Sequence, residues 1–219
     1  MRTRSEELFE RWCGQRRLHC EPIPVPRERR ADYRVRLASA EWIAEVKEFE
    51  LTAENRKTRQ QLDERGWADP VDGGRRRVEL KIKDSVAQLK ALCGESLPGV
   101  LILYSPPELI PIVTDPYGIM TAMYGQEAVR LRVPGHASPT ITGRDFGGKR
   151  NVGPTRNRSL SAIGAMYLRL NGRVRIVFFH NAYARVPLTR KFTAGRSRDH
   201  YELSPADQLT FSEWVRRRS

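Results

Sequence analysis

Asp32, Glu45 and Lys47 are the residues of this 219-residue chain whose types and spacing could do chemistry. Glu45 and Lys47 stand two apart in "AEWIAEVKEFE" (residues 40–50), which otherwise has the composition of a buried strand. Side chains alternate across a strand, so Ile43, Glu45, Lys47 and Phe49 share one face, and Trp42, Ala44 and Val46 the other. Both faces carry apolar groups, and an unpaired ionised group buried there costs on the order of several kcal/mol. Asp32 sits in the preceding strand, "ADYRVRL", with twelve residues between it and Glu45. Two short strands and a turn of that length bring both carboxylates to one end of a sheet. Carboxylates so gathered are hard oxygen donors suited to Mg²⁺, and a neighbouring ammonium offsets negative charge that develops on an oxygen.

The elements that must position these residues follow from periodicity. Residues 5–17 predict a helix capped by Ser5, with Leu8, Phe9, Trp12 and Cys13 on one apolar stripe. A Pro-rich connector, "EPIPVPRERR", leads into the hairpin over 31–49, in which Tyr33, Val35 and Leu37 alternate with charged residues. "ENRKTRQQLDERG" predicts a polar helix and "WADPVDGGRRR" a loop. Val78, Ile82, Val86, Leu89 and Cys93 recur at helical spacing, with Gly94 and Pro98 ending the helix. "GVLILY" (99–104) then reads as a buried central strand, and a helix between two strands predicts a crossover unit and an α/β sheet.

The second half patterns less clearly. "TDPYGIMTAMYGQEAV" predicts a helix capped at Thr114 or Asp115 with Pro116 in its first turn. Residues 134–158, rich in Gly, Pro and basic residues, predict a long mobile loop. "SLSAIGAMYLRL" and "RVRIVFFHNAYARVPL", separated by "NG", predict two late strands, the first with helix as its alternative. "SPADQLTFSEWVRRR" predicts a capped terminal helix. Residues 1–104 are thus expected to form a core, and 105–219 an elaboration of the same domain.

Composition sets the partner class. A net charge of +13 and a pI near 10.2, with thirty-two Arg against seven Lys, point to an anionic partner. The basic residues are spread along the chain and form no amphipathic membrane helix, which favours nucleic acid. No apolar run reaches the roughly 18 residues of a membrane span. "MRTRSEELFERW" lacks the apolar core of a secretory signal, so a cytoplasmic setting is expected. Cys13, Cys20 and Cys93 are an odd number without CxxC spacing, as expected of packed thiols in a reducing compartment. His19, His136, His180 and His200 make no HxH or HExxH cluster.

With "AD" at Ala31–Asp32 and "EVK" at Glu45–Lys47, the chain resembles the PD-(D/E)XK nuclease superfamily, of restriction-endonuclease-like fold. The order of an acidic helix, hairpin, crossover helix and buried strand matches, over residues 5–104. The motif's Pro is Ala31 here, a position that shapes backbone and supplies no ligand. The resemblance implies a mixed central sheet flanked by helices, with a C-terminal elaboration, and a metal-dependent nuclease acting on DNA in preference to RNA. It implies a Mg²⁺ or Mn²⁺ site made by Asp32, Glu45 and the Val46 carbonyl, with a first-helix glutamate, Glu10 or Glu6, as a further ligand. Lys47 would orient or deprotonate the attacking water, and Gln88, in "DSVAQLK", would hydrogen-bond water or phosphate. Arg75, Arg76, Arg77, Arg144, Lys149, Arg150, Arg156 and Arg158 would contact backbone phosphates. His180 and Asn181 are not tied to the site by any spacing.

Blander readings compete at each position. Glu45 and Lys47 would also suit the solvated face of an edge strand, and Asp32 a surface ion pair with Arg30 or Arg34. Gln88 would suit a helix flank, the first-helix glutamates a favourable dipole interaction, and the arginines a solvated loop. Two rival functions follow: a catalytically silent nucleic-acid-binding module of the same fold, and a subunit, homodimeric or mixed, whose second half makes protein contacts.

Overall fold

A computed structural model describes residues 2–24, 32–67, 74–106, 114–135, 138–194, 199–204 and 212–217. Ala31, Arg30, most of the Pro-rich connector, the 68–73 part of the loop before the crossover helix, His136 and residues 205–211 of the expected terminal helix lie outside these residues.

The first helix, α1 (Arg4–Gln15), begins one residue before the expected start, because Thr3 rather than Ser5 caps it. Thr3 Oγ1 accepts from the Glu6 N–H while Glu6 Oε2 accepts from the Thr3 N–H, a reciprocal capping box. Ser5 is buried instead, and its N–H donates to Glu48. Strand β1 (His19–Pro22) forms where the connector was expected to start, and pairs with β2 (Tyr33–Leu37). β2 turns at Ala38–Ser39 into β3 (Ala40–Glu48), giving the expected hairpin.

Helix α2 (Ala53–Arg65) is polar all round, is capped by Thr52, and has Thr58 as its buried residue. Helix α3 (Arg75–Cys93) buries Val78, Ile82, Leu89 and Cys93, four of the five residues of the expected stripe. Its first turn contains Arg75, Arg76 and Arg77, which a reading from the apolar stripe alone leaves in the preceding loop. β4 (Gly99–Tyr104) is buried at every residue and runs parallel to β3, completing the crossover.

Helix α4 (Pro116–Tyr124) is capped by Asp115, whose carboxylate accepts from the Gly118 N–H. It stops at Gly125, whose φ of 94° is costly for any residue with a Cβ. Gln126–Val129, expected to continue that helix, instead open β5 (Gln126–Arg132). β5 pairs with β6 (Thr140–Gly147) as a separate two-stranded ribbon, so the expected long loop over 134–158 contains a strand of 8 residues. The β-branched run Thr140-Ile141-Thr142 carries that strand, hidden among glycines that dominate the composition.

β7 (Leu160–Leu168) and β8 (Val174–His180) are the two expected late strands. A short helix, α5 (Arg190–Thr193), and strands β9 (His200–Leu203) and β10 (Trp214–Arg216) follow. Trp214–Arg216 were expected in a helix. Their place in β10 reflects the ladder offered by β9, with Trp214 opposite Leu203.

The fold is α/β: one eight-stranded mixed sheet, ordered β1-β2-β3-β4-β7-β8-β9-β10, with helices on both faces. Strands from both halves of the chain thus share one sheet. On one face α3 and α4 cover Ile43, Leu101, Leu103, Ile163 and Phe179; on the other α1 covers Trp42, Ala44, Val100, Ile102 and Phe178. Trp42 is anchored further by its indole N–H donating to the Phe192 carbonyl, 2.9 Å.

Gly99 fixes the depth at which β4 enters. A Cβ there would lie 2.5 Å from the Ser159 carbonyl oxygen and 2.8 Å from Cys93 Sγ, and the backbone oxygen cannot swing away. We therefore expect Gly99→Ala to lower stability by about 1–3 kcal/mol in urea denaturation, with an unchanged folded-state spectrum.

Candidate active site

Backbone direction brings the hairpin residues together. The Ile43 and Phe49 N–H groups donate to Pro98 and Tyr104 on the β4 side, so odd-numbered residues of β3 bond to β4 and even-numbered ones face β2. β2 ends at Tyr33, opposite Ala44, which leaves the backbone groups of Val46 beyond its last rung. Asp32 fills that place. Its Oδ2 accepts from the Val46 N–H at 2.6 Å, its own N–H donates to Ala44, and its carbonyl accepts from Ile23. Asp32 is thus clamped between β1 and β3, with Oδ1 left for another partner and the Val46 carbonyl on the same side.

Glu45 faces the α3 side of the sheet and is fully buried. The Lys47 ammonium lies 2.5 Å from its Oε1 as an ion pair. Neither carboxylate oxygen has a hydrogen-bond partner. Burial pushes the Glu45 carboxyl up to about 7, the Asp32 carboxylate adds to that rise, and Lys47 opposes it. Asp32 is raised as well, chiefly by burial; the Val46 N–H and Lys47 pull it down, and Glu6 pushes it up. The edge-strand reading does not describe this pair: β3 is flanked by β2 and β4, and only Lys47 reaches solvent.

Gln88 is buried on α3, its Oε1 without a partner, and so is Ser85 Oγ one turn earlier. α3 runs antiparallel to β3: Arg77 stacks on Phe49 at 5.3 Å, and Leu89 and Cys93 close on Gly99, which pairs with Ile43. With rises of about 1.5 Å per helical and 3.3 Å per strand residue, Ser85 and Gln88 fall at the level of Glu45. The interface therefore holds three buried polar side chains whose oxygens lack partners. Such groups are costly in a finished core, and their concentration at one level is the signal of a site. Ser85 was missed in the sequence, where a lone Ser on an amphipathic helix carries no pattern beyond its spacing from Gln88.

Both first-helix glutamates are engaged: Glu10 Oε1 accepts from the Tyr33 hydroxyl at 2.9 Å and Oε2 from Arg2 at 2.8 Å, and Glu6 Oε2 accepts from the Thr3 N–H at 2.6 Å. Glu6 is the one whose charge bears on Asp32. Among the described residues no group of three or more His, Cys, Asp and Glu side chains has the spacing to hold a metal. What the hairpin offers is two carboxylates and a carbonyl, and that set of hard oxygens fits Mg²⁺ or Mn²⁺ in chemistry.

The basic residues divide. Arg75, Arg76 and Lys149, with Lys83, line a cleft of about 760 Å³ between α3 and the start of α4. Lys149 sits so close to Lys83 that its ammonium is held below its ordinary range. Arg75 is paired with Glu79. Arg77 is structural: it donates to the Glu50 carbonyl and to Asn55, tying α2 to the end of β3. Arg144 lies in β6 opposite Val129, and Arg150 binds Asp145 and the Phe146 carbonyl. Arg156 closes a turn on Gly153, and Arg158 donates to the Tyr183 carbonyl. His180 and Asn181 are buried away from β3: His180 joins Arg217 and His200 in a hydrogen-bonded chain, and Asn181 binds the Leu160 carbonyl.

No protein-family model, curated protein or solved structure matches this chain. No helix among the described residues is long and apolar enough to cross a membrane.

The raised Glu45 carboxyl has a consequence for stability. Its folded value, about 7, lies above the ordinary 4.5, so folding favours the protonated form. The stabilisation this gives at low pH is intact below about 4.5 and lost as pH rises through 7. In EDTA, wild-type protein should lose about 2–3 kcal/mol between pH 5 and pH 8 relative to Glu45→Gln, read from paired urea denaturations. Parallel curves would show that Glu45 is not strained by burial.

Proposed function

We propose that the protein is a metal-dependent nuclease with a restriction-endonuclease-like core, hydrolysing phosphodiester bonds, with DNA as its substrate in preference to RNA. The observation that carries this reading is the fully buried Glu45 carboxylate, without hydrogen bonds, placed between Lys47 and a clamped Asp32. A structural core gains nothing from such a group, whereas a hydrolytic site needs hard oxygens in a partly dry setting.

In this reading Asp32 Oδ1, Glu45 and the Val46 carbonyl hold the cation. Bound Mg²⁺ or Mn²⁺ would lower the pKa of an attacking water and polarise the phosphoryl oxygen. Lys47, whose ammonium is at 2.5 Å from Glu45 and partly open to solvent, would offset charge on the phosphoryl oxygens and orient the attacking water. Gln88 and Ser85 orient water or phosphate from the α3 side. Water adds to phosphorus and gives up a proton to solvent, the P–O bond to the leaving oxygen breaks, and that oxygen takes a proton from solvent. Arg75, Arg76, Lys83 and Lys149 supply the salt-sensitive grip on the backbone.

A subunit role has one observation behind it. The β5–β6 ribbon exposes Val129, Leu131, Val133 and Ile141, an apolar set that a partner would cover. Elution as a monomer at high concentration would count against self-association through it. The silent-module reading draws on the Glu45–Lys47 contact, in which an ammonium already balances the carboxylate.

Cleavage decides among them. Plasmid and single-stranded DNA incubated with Mg²⁺ or Mn²⁺ should be cut, and Asp32→Ala and Lys47→Ala should each slow cutting about 100-fold or more. Mn²⁺ should also raise the melting temperature of wild type and not of Asp32→Ala. Undiminished cutting by both variants would reject this site, and binding without cutting under either metal would favour the silent module.

A further inference from the structure

The same sheet face that carries Glu45 continues, strand by strand, into an open aromatic surface. The register runs Lys47 to Leu103 to Ala165, so Tyr167, two residues on along β7, points to the same side. Tyr167 faces Arg175 on β8, Ile163 faces Phe179, and Phe179 faces Tyr201 on β9. Trp214, opposite Leu203, shares that face. Tyr167, Phe179, Tyr201 and Trp214 line a cleft of about 470 Å³ that Arg169 and Arg175 border. Phe179 is its buried floor, stacked on Tyr201 at 5.9 Å and tilted against Trp214 at 5.0 Å. The polar ends of two of these rings are tied down: Trp214 donates to the Pro116 carbonyl and Tyr167 to that of Thr114. Held by their edges, the rings have little freedom to lose on binding.

Arg169 and Arg175 also border a second cleft, of about 370 Å³, shared with Arg16, Arg173 and Asp199. Four guanidiniums thus surround one carboxylate. Asp199 is buried and fully used, accepting from Arg175 at 2.9 Å and from Arg16 at 3.1 Å. Arg169 and Arg173 have no ion-pair partner among the described residues, and both are exposed. A tight turn presents them side by side: the Arg169 N–H donates to the Arg173 carbonyl, and Gly172, at φ 73°, donates back to Arg169.

We infer that this surface binds single-stranded nucleic acid, with bases stacked on Tyr201 and Trp214 and phosphates on Arg169 and Arg173. Rings beside a surplus of guanidiniums match the two demands of an unpaired strand, a π-face for each base and cations for the backbone. A duplex meets only the second, because its bases are already stacked on one another. The surface begins two strands from β3, about 10 Å away, and extends to about 24 Å at β10. A strand held there lies along the sheet end that carries Lys47. The inference shares with the cleavage reading only its anionic partner, and it stands or falls without metal.

The test is fluorescence anisotropy in EDTA, with labelled oligo(dT) and oligo(U) of about 12 nucleotides, a duplex of equal length, and an abasic oligomer of the same charge. Wild type should bind oligo(dT) at least about fivefold more tightly than the abasic oligomer. Arg169→Ala/Arg173→Ala should weaken oligo(dT) binding about tenfold and lower the log–log salt slope by about 1.4. Tyr201→Leu should weaken oligo(dT) and leave the duplex unchanged. Tighter binding of oligo(U) would make the strand RNA and keep the site. Equal affinity for oligo(dT), oligo(U) and the abasic oligomer would overturn it, as would an arginine pair whose loss changes nothing, a result pointing to an acidic protein partner. Asp32→Ala, expected to abolish cutting and keep this binding, separates failure here from failure of the active site.

Discussion

A carboxylate inside the sheet-helix interface is the constraint on which the rest of the structure turns. Glu45 is sealed under α3 with no hydrogen bond to either oxygen, and the Lys47 ammonium is its ion-pair partner. Replacing such a pair by apolar side chains is often neutral or stabilising, so its presence is hard to explain by folding alone. The surrounding elements maintain the arrangement. Gly99 sets the depth of β4 against α3, Arg77 fastens α2 to the end of β3, and Asp32 extends the hairpin past the last rung of β2. Each contact concerns backbone position, and together they fix three polar side chains, Glu45, Ser85 and Gln88, within a close-packed core.

The same logic organises charge over the surface. Lys83 and Lys149 are pressed together beside Arg75 and Arg76 on one side of the start of α4. On its other side Pro116 and Thr114 anchor Trp214 and Tyr167, beside Arg169 and Arg175. A net charge of +13 is therefore not merely diffuse: part of it is concentrated in two clefts that flank one helix end. Like charges held close in the unbound protein are relieved by an anion, which connects the energetics of the fold to the class of partner.

Much of the site was legible because strand alternation is a strong rule. The shared face of Ile43, Glu45, Lys47 and Phe49, the hairpin, the crossover helix and the buried β4 all follow from period two and period 3.6, whereas periodicity alone left Gln88 on the helix flank. Other features left no such trace. Thr3 and Ser5 are both good caps, and only the reciprocal bond with Glu6 selects Thr3. Glu10 and Glu6 sit one turn apart, and what occupies Glu10 includes the Tyr33 hydroxyl, 23 residues further along the chain. β6 was obscured by its glycines, β10 by a capping signal upstream of Trp214, and the aromatic surface by its dependence on the register of four strands, two of which, β9 and β10, carry no clear strand pattern. Tertiary pairing, not local propensity, decides such segments.

The central claim is that Asp32, Glu45 and Val46 gather around a divalent cation while Lys47 stands aside from it. Anomalous diffraction from crystals soaked in Mn²⁺ measures this directly. A peak about 2.0–2.3 Å from Asp32 Oδ1, a Glu45 oxygen and the Val46 carbonyl, with the Lys47 ammonium displaced from Glu45, is the expected result. An Mn²⁺-saturated crystal with no peak there and the Glu45–Lys47 contact intact would contradict it.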